Sequence, residues 1–511
     1  LTAHPARGAP PPLKPGEDIA VLAKGGRTNF FGFLIRLAAR LPFLFVAGRI
    51  YGADALGRFA YAVIVVEFAA QIATLGLKRG LAEQLSGTER PHVHVVWDAM
   101  LVAALASAIA AGILALFPQM MFPNSDMFGS EALLPLTIFA LAWSDIALSA
   151  LAYRRDIGAT VMARSIVEPW TISIGALALS WYSLRDGLIL SYVLSVVAAL
   201  AASIWPLMRS YGRPRGWRPQ PSRLLGIAKR NVPLAAADAI EWGSRRLDIA
   251  ILGLFFSPAI VGIYYVAQQV ASLPQKLKTS FDPILGPVIT QNLEAGNKAA
   301  VAKQVRQVGF WILAAQTGIA LALGIPGEAV MGLVGPTFVS GTGALAFLLA
   351  AEVVAATAVV SESALIYVAR KRNLLISLGM IGVQAGLSFA LVHGIHAALD
   401  GHVPMRDDLF AAAGPAIAMM LALGLASILK ARLLARLLGA PVQGWRWALV
   451  HAAIVGAAVG AAATQLPEWA ELIFGIPLIL LSYGAVIWYR GFTHEDRVLF
   501  RMKSPGKPAS S

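Results

Sequence analysis

Residues 48–62 read GRIYGADALGRFAYA, and residues 253–267 read GLFFSPAIVGIYYVA. Laid over each other at an offset of 205, Gly48 meets Gly253, Gly57 meets Gly262, Phe59 meets Tyr264 and Ala62 meets Ala267, with Leu56 and Val261 both apolar. The same offset pairs Arg40 with Arg245 and Thr74 with Thr279. Each stretch joins two long apolar runs through a short turn, where glycine suits a tight reversal. Two copies of one helix–turn–helix joint predict a chain built by internal repetition. Transporters are often built so, with the substrate held between the repeats near the bilayer midplane.

Outward from these joints, the chain is apolar almost throughout. Of its 511 residues 57% are hydrophobic and 14% charged, against about 25% charged in a soluble protein. Lipid is the solvent that suits such a chain. A spanning helix needs roughly 20 mostly apolar residues, and windows of that kind fall at 28–49, 58–82, 95–117, 131–153, 158–181, 187–208, 224–255, 260–290, 307–325, 342–369, 374–395, 409–430, 447–464 and 470–489. The expectation is an all-α polytopic membrane protein of about fourteen transmembrane helices. The seventh, eighth and tenth windows are longer than a bilayer requires and should tilt, kink or protrude. Pro274, Pro283 and Pro287 mark the eighth for bending.

Basic residues orient the spans, because cytoplasmic loops are enriched in Lys and Arg. With the N-terminus inside, only Arg49, Arg58, Arg185 and Arg406 of the 42 fall on the outer side, and Arg36, Arg40, Arg245 and Arg246 lie within spans. The rest gather in the inner loops and tails, with Arg164 placed after the fourth span and Lys430 after the twelfth. One span too many or too few would throw every later loop to the wrong side. Both termini are therefore expected in the cytoplasm. The net charge of +14 reads as topology and attraction to anionic inner-leaflet lipid, not as a nucleic-acid footprint. The chain has no Cys, which excludes disulfides and thiolate metal sites.

The expected organisation is a flexible cytoplasmic tail over 1–26, a six-helix lobe over 27–208, a basic linker over 209–223 (RSYGRPRGWRPQPSR), and a second six-helix lobe over 224–438. Two further helices over 439–489 and a cytoplasmic tail over 490–511 complete it. The tail at 1–26 lacks the apolar stretch and cleavage site of a signal peptide. No outer loop is long enough for a catalytic domain, and no phosphate-cradling Gly-Lys-Ser/Thr loop is present, so the chain is not expected to be an enzyme or to need a cofactor. His393, His396, His402, Asp400, Asp407 and Asp408 crowd one outer loop without the spacing of a metal site. Gly456 and Gly460 suit close helix packing.

Ionisable groups inside a membrane are costly and mark pathways or pairs. At 100° per residue, Asn29, Arg36 and Arg40 share one stripe of the first span, and Glu67, Gln71, Thr74 and Lys78 share one on the second. In the seventh, Asp238, Glu241, Arg245 and Asp248 align, with Arg246 to one side. On the eighth, the offset places Lys276 level with Gln71, and Lys276 and Lys278 outnumber Asp282. Asp145, Glu168, Glu352 and Glu362 lie elsewhere in spans. These four could serve ion coupling or a structural helix–helix hydrogen bond. The seventh-span stripe could neutralise itself through i,i+3 and i,i+4 pairs and staple its lobe. The first-span Arg residues could snorkel to inner headgroups.

VAGRIYGADALGRFAYAVIVVEFAAQIATLGLKRGL (46–81) resembles the first joint of bacterial polysaccharide flippases of the multidrug/oligosaccharidyl-lipid/polysaccharide exporter superfamily. Those proteins carry an Arg, then Leu-Gly, then Gly-Leu-Phe there, followed by Leu-Gly-Leu and basic residues. RRLDIAILGLFFSPAIVGIYYVAQQVA (245–271) resembles their second joint, with an Asp before an aliphatic run and Gly-X-Tyr after it. Tyr51 departs from the usual Leu. Many such flippases stop at twelve helices, and the last two spans here are similar to the lipid II branch, although that branch's typical second-helix sequence is absent.

The resemblance implies a V-shaped cavity walled by spans 1, 2, 7 and 8, two pseudo-symmetric lobes, and alternating access. It also implies a bacterial inner membrane and an undecaprenyl-pyrophosphate-linked oligosaccharide, for O-antigen or exopolysaccharide, as cargo. Membrane lipid, a polysaccharide polymerase and export machinery would be the partners, with no nucleic acid. A pyrophosphate is held by the two-pronged Arg and the point charge of Lys, which assigns Arg36, Arg40, Arg245, Arg246, Lys276 and Lys278 to substrate. Glu67, Asp145, Glu168, Asp238, Glu241 and Asp248 are the candidates for gating or for proton or sodium coupling. The alternatives are a lipid II flippase, a drug/cation antiporter of the same superfamily, and a membrane glycosyl-polymerase or ligase. An acidic cavity would favour the antiporter, and a large outer loop carrying Arg and His would favour the polymerase.

Overall fold

The computed structural model describes residues 41–123, 126–294, 297–399, 404–493 and 496. Every regular element among them is helical. Nine helical stretches of the described residues are long and apolar enough to cross a membrane. The chain is an all-helical, polytopic membrane protein.

It forms two compact units, 1–266 and 267–511. The first holds α1 (41–51), α2 (Gly52–Ala73), α3 (Leu77–Ser86), α4 (His92–Leu116), α5 (Thr137–Tyr153), α6 (Ile157–Val161), α7 (Glu168–Ser180), α8 (Gly187–Tyr211), α9 (Pro221–Ser244) and α10 (Leu247–Phe255). Next comes α11 (Pro258–Glu294), which begins in this unit and continues into the second. It stays one helix through Pro274, Pro283 and Pro287. Leu77, Leu81, Val96, Met100, Ile146 and Leu151 form the apolar core beneath α3, α4 and α5.

Several local features depart from the sequence expectation. Lys78 and Arg79, expected in an inner loop, lie in α3. The turn before that helix needs left-handed backbone at Leu75 (φ 48°) and Gly76 (φ 68°), which glycine supplies without steric cost. The fifth predicted span is interrupted by a π turn over Met162–Val167, just before Pro169, which lacks an N–H to continue the ladder. The seventh predicted span is two helices, broken at Arg245 and Arg246 after the weak helix formers Gly243 and Ser244. The stripe of Asp238, Glu241, Arg245 and Asp248 supposed one continuous helix, so its angular register does not hold across the break.

The basic stretch 209–223 is docked. Asp98, fully buried on α4, accepts hydrogen bonds from Trp217 Nε1 at 2.8 Å and Arg90 Nη1 at 2.9 Å. Arg223 stands 3.8 Å from the same carboxylate, and Trp97 packs on Trp217 with ring centroids 6.0 Å apart. Tyr51 also finds a role: its hydroxyl donates to the Ala176 carbonyl at 2.7 Å and ties the first joint to α7.

The second unit contains α12 (Lys298–Gly324), α13 (Gly327–Gly332), α14 (Thr342–Val368), α15 (Arg370–Leu399), α16 (Pro404–Ala412), α17 (Gly414–Leu438), α18 (Ala448–Ala463), α19 (Glu468–Ala470) and α20 (Ile476–Val486). Phe310, Leu313, Val360, Leu434, Leu449 and Tyr483 form its core. Asp496 of this unit is fully buried. Oδ1 accepts from Gln307 Nε2 at 2.8 Å and Trp311 Nε1 at 3.0 Å; Oδ2 accepts from Arg446 Nη1 and from the Thr493 N–H and hydroxyl, all at 2.8 Å. Burial opposes its ionisation, but the bonds from Arg446, Gln307 and Thr493 outweigh burial and hold the carboxyl well below the usual range.

Asp496→Ala should therefore destabilise the protein by about 3 kcal/mol, read as a lower Tm in detergent. A depressed folded pKa contributes stability above the unfolded value of ~3.9 and loses it as pH falls through the folded value. The wild-type and Asp496→Ala melting curves should separate at neutral pH and converge in acid.

Candidate functional site

The second and seventh predicted spans meet along one seam, where α2 and α3 run antiparallel to α9 and α10. Contacts follow in register from one end to the other. Gly57 packs on the backbone of Pro258 and Gly262, and Gly253 packs on the Tyr61 ring. Next, Arg246 Nη2 stands 3.8 Å from Glu67 Oε2, and its guanidinium lies over the Trp242 ring at 4.9 Å. Phe68 and Trp242 stack with centroids 5.6 Å apart and planes 27° from parallel. At the far end Gly76 packs on Leu234 and Ala235, Gly80 on Asn231, and Arg79 Nε pairs with Asp238 Oδ1 at 2.8 Å.

Arg246, which the sequence places to one side, is thus the residue that reaches the second-span stripe. Asp238 is buried and paired with Arg79, a residue assigned by its charge alone to a loop. Asp248 accepts the Tyr264 hydroxyl at 2.8 Å, both groups buried, which fixes α10 against α11. Arg245 caps α9 at its C-terminal end, where a cation is favoured by the helix dipole. Thr74 donates its hydroxyl to the Gln71 carbonyl at 2.7 Å. Arg36 and Arg40, and the side chains of Glu241, Lys276 and Lys278, lie outside the described residues.

Beside the seam sits a second charged cluster. Arg164 Nη1 donates to Glu168 Oε2 at 2.7 Å, and Nη2 donates to Asp145 Oδ1. Lys78 Nζ adds a contact of 3.6 Å to Asp145 Oδ2. Arg164 is mostly buried, 17% exposed, which corrects its assignment to an inner loop. The π turn carries it inward, and the i,i+4 spacing to Glu168 permits the pair. That spacing inside an apolar window was the signal available in the sequence. Two cations and two carboxylates balance here, as one of each does at Glu67–Arg246 and at Asp238–Arg79.

In the second unit Lys430, also expected in an inner loop, is buried on α17. It pairs with Glu362 at 3.2 Å and donates to Ser377 Oγ at 3.0 Å. Of the outer-loop histidines, His393 bonds its own helix at the Phe389 carbonyl, 2.9 Å away. His396, Asp400, His402 and Asp407 fall outside the described residues or side chains.

Comparison with known proteins gives three findings. A family profile described as polysaccharide biosynthesis protein matches residues 46–322. No curated protein matches the sequence. Among solved structures, the fold is similar to the lipid II flippase MurJ in an inward closed conformation, with a TM-score of 0.66 at 12% identity, covering 94% of this chain and 100% of that one. It is also similar to an inward-facing MATE-family multidrug transporter of the MOP superfamily (TM-score 0.58, 12% identity, 79% and 99% covered). A Pyrococcus furiosus MOP-superfamily transporter whose binding pocket is described as reversed in polarity is similar too (TM-score 0.56, 11% identity, 82% and 95% covered).

Proposed function

The chain belongs to the polysaccharide biosynthesis protein family, and from that premise we propose that it flips an undecaprenyl-pyrophosphate-linked oligosaccharide, an O-antigen or exopolysaccharide repeat unit, across the bacterial inner membrane. It has the MOP-superfamily fold and is a membrane transporter, not an enzyme. The proposal extends to fourteen spans arranged as two six-helix lobes plus two C-terminal helices, both termini cytoplasmic, and alternating access.

The observation that carries the reading is the basic, acid-free first predicted span beside a unit in which the carboxylates of Glu67, Asp145, Glu168 and Asp238 each hold a cation already. The first predicted span brings Arg36 and Arg40 and no acid. A surplus of Arg in a membrane suits an anionic headgroup with many acceptor oxygens, and suits a cationic drug poorly. Arg36, Arg40, Arg245, Lys276 and Lys278 would hold the pyrophosphate, with Arg246 released to it from Glu67. The paired carboxylates, with Glu241 and Asp248, would gate the cycle or take up a proton or sodium ion. A lipid II flippase remains the second reading, favoured by a likeness to MurJ that extends over 94% of this chain.

Depletion of the chain in its own cells tests the reading. Lipid-linked oligosaccharide should accumulate on the inner leaflet and surface polysaccharide should vanish, with peptidoglycan synthesis and drug susceptibility unchanged. Loss of peptidoglycan synthesis would favour lipid II, and drug sensitivity alone would favour the antiporter. The topology has its own check in this Cys-free chain: His402→Cys should react with an impermeant maleimide from outside, and Arg213→Cys only from inside. Labelling of position 402 from inside alone would break the helix count.

A further inference from the structure

In the second unit α18 and α20 leave an open trough between them, about 420 Å³ in volume. Its walls are two short helical faces. On α18, Ile454 and Val455 follow His451 at i+3 and i+4. On the other wall Ala485 and Val486 of α20 stand four residues before Tyr489 and Arg490, which lie on the π turn Ile487–Gly491 that ends the helix. Residues three and four apart share a helix face. Further along, Gly456 faces Tyr483 and Gly460 faces Ile479, so the two helices run antiparallel and close on each other there. His451, Tyr489 and Arg490 therefore fall at one end of the trough, and the four apolar side chains line the rest.

The polar end is fixed in place. The π turn closes with the Phe492 N–H donating to the Ile487 carbonyl at 2.9 Å, and Arg446 Nη1 donates to the Gly491 carbonyl at 2.5 Å. Single π turns are frequent at functional sites. Trp445 and Trp447, just before α18, are 57% and 72% exposed, and Tyr489 is 74% exposed. Such rings gather at headgroup level in a membrane. The guanidinium of Arg490 and the imidazole of His451 are exposed as well, and neither has a hydrogen-bond or ion-pair partner among the described residues. Among those residues no carboxylate lines the trough.

We infer that this trough is a binding site for one bilayer phospholipid of net negative charge: Arg490 and His451 hold its phosphate, and an acyl chain lies over Ile454, Val455, Ala485 and Val486. Cation and apolar surface follow each other in the order in which a lipid presents head and chain. Arg meets a phosphate with two parallel hydrogen bonds. With no carboxylate to take an ammonium, a phosphatidylglycerol headgroup is favoured over phosphatidylethanolamine. Two donors suit a single phosphodiester rather than the pyrophosphate and glycan of the proposed cargo, and none of the cations assigned to that cargo lines the trough. The topology proposed above decides only which leaflet, the inner one, supplies the lipid.

The test uses protein purified in detergent, stripped of lipid and mixed with equal amounts of dioleoyl-phosphatidylglycerol and dioleoyl-phosphatidylethanolamine. Native mass spectrometry counts the lipid retained. Wild-type protein should keep one phosphatidylglycerol, preferred roughly tenfold or more, the scale of one charge-assisted hydrogen bond. Arg490→Gln should lose that preference, and His451→Ala should lose part of it. Ala485→Phe keeps both donors but fills the trough, and should lower phosphatidylglycerol retention roughly tenfold, about the loss of a buried chain segment. Arg436→Gln, at an exposed Arg of α17, should change nothing.

Equal retention of the two lipids by wild-type protein overturns the site. So does a loss in Arg436→Gln as large as in Arg490→Gln, which is attraction to net charge alone. Unchanged retention in Ala485→Phe overturns it too, because an Arg490 that merely snorkels needs no trough. Undecaprenyl phosphate, added in equal amount and displacing the phosphatidylglycerol, would overturn the phospholipid assignment in favour of the carrier lipid. The Tm without added lipid checks that each variant is folded, and should Arg490→Gln fail to fold, Ala485→Phe decides. Retention needs no transport. A protein that holds the lipid and moves no oligosaccharide would sink the flippase reading alone, and one that exports oligosaccharide without holding the lipid would sink the site alone.

Discussion

Arg164→Ala is expected to destabilise the protein by about 3–5 kcal/mol, because it strands Asp145 and Glu168 in a mostly buried site, with Lys78 left 3.6 Å from Asp145. In cells this should read as a protein present at a small fraction of wild-type level, and in detergent as a Tm lower by several degrees. Arg164→Lys keeps the charge but cannot bridge two carboxylates with one planar fork, and should fall between. Removing the stranded charges as well separates two roles. If Arg164→Ala with Asp145→Asn and Glu168→Gln recovers stability and transport, the cluster is a staple for α5, α6 and α7. If it recovers stability without transport, the cluster acts in coupling. Wild-type stability of Arg164→Ala alone would show that the cluster carries no energetic weight.

Arg40→Ala is expected to abolish export, by roughly a hundredfold or more, while inserting and folding normally. Arg40 has no acid on its own predicted span to be left unpaired, and charge-assisted bonds to a phosphate are worth roughly 1.5–3 kcal/mol each. Arg40→Lys retains the charge and loses the two-pronged geometry, so it should impair export partly. Arg245, the repeat partner of Arg40, should also fail as alanine. Here abundance distinguishes the causes: a stable, inactive Arg245→Ala supports substrate binding, whereas a degraded one supports a structural cap at the end of α9. Initial rates of lipid-linked oligosaccharide export, normalised to protein level, provide the measurement. Normal export by Arg40→Ala would remove the central residue of the proposed site.

The helical, membrane-spanning character was legible because it depends on composition, which no packing detail can reverse. The two glycines at the centre of the aligned joints have a physical reason: Gly57 and Gly262 each face backbone that leaves no room for a Cβ. What stayed hidden was whatever depended on breaks in helical geometry. A continuous seventh span puts Arg245 on the polar stripe and Arg246 off it. The break after Ser244 reverses which of the two meets Glu67. Arg164 and Lys430 were sorted as loop charges because a sum over basic residues knows nothing of partners. The π turn before α7 and the carboxylate of Glu362 draw them inside. Trp217 lies 119 residues from Asp98, and no periodicity connects them.

The most direct test of the central claim uses purified protein in lipid vesicles loaded with a fluorescent undecaprenyl-pyrophosphate-linked oligosaccharide. An impermeant quencher reports which headgroups lie outside. The account predicts that wild-type protein makes the inner-leaflet fraction accessible to the quencher far faster than empty vesicles do, and that Arg40→Ala vesicles behave as empty ones. Accumulation of a cationic drug with no movement of the lipid headgroup would contradict it.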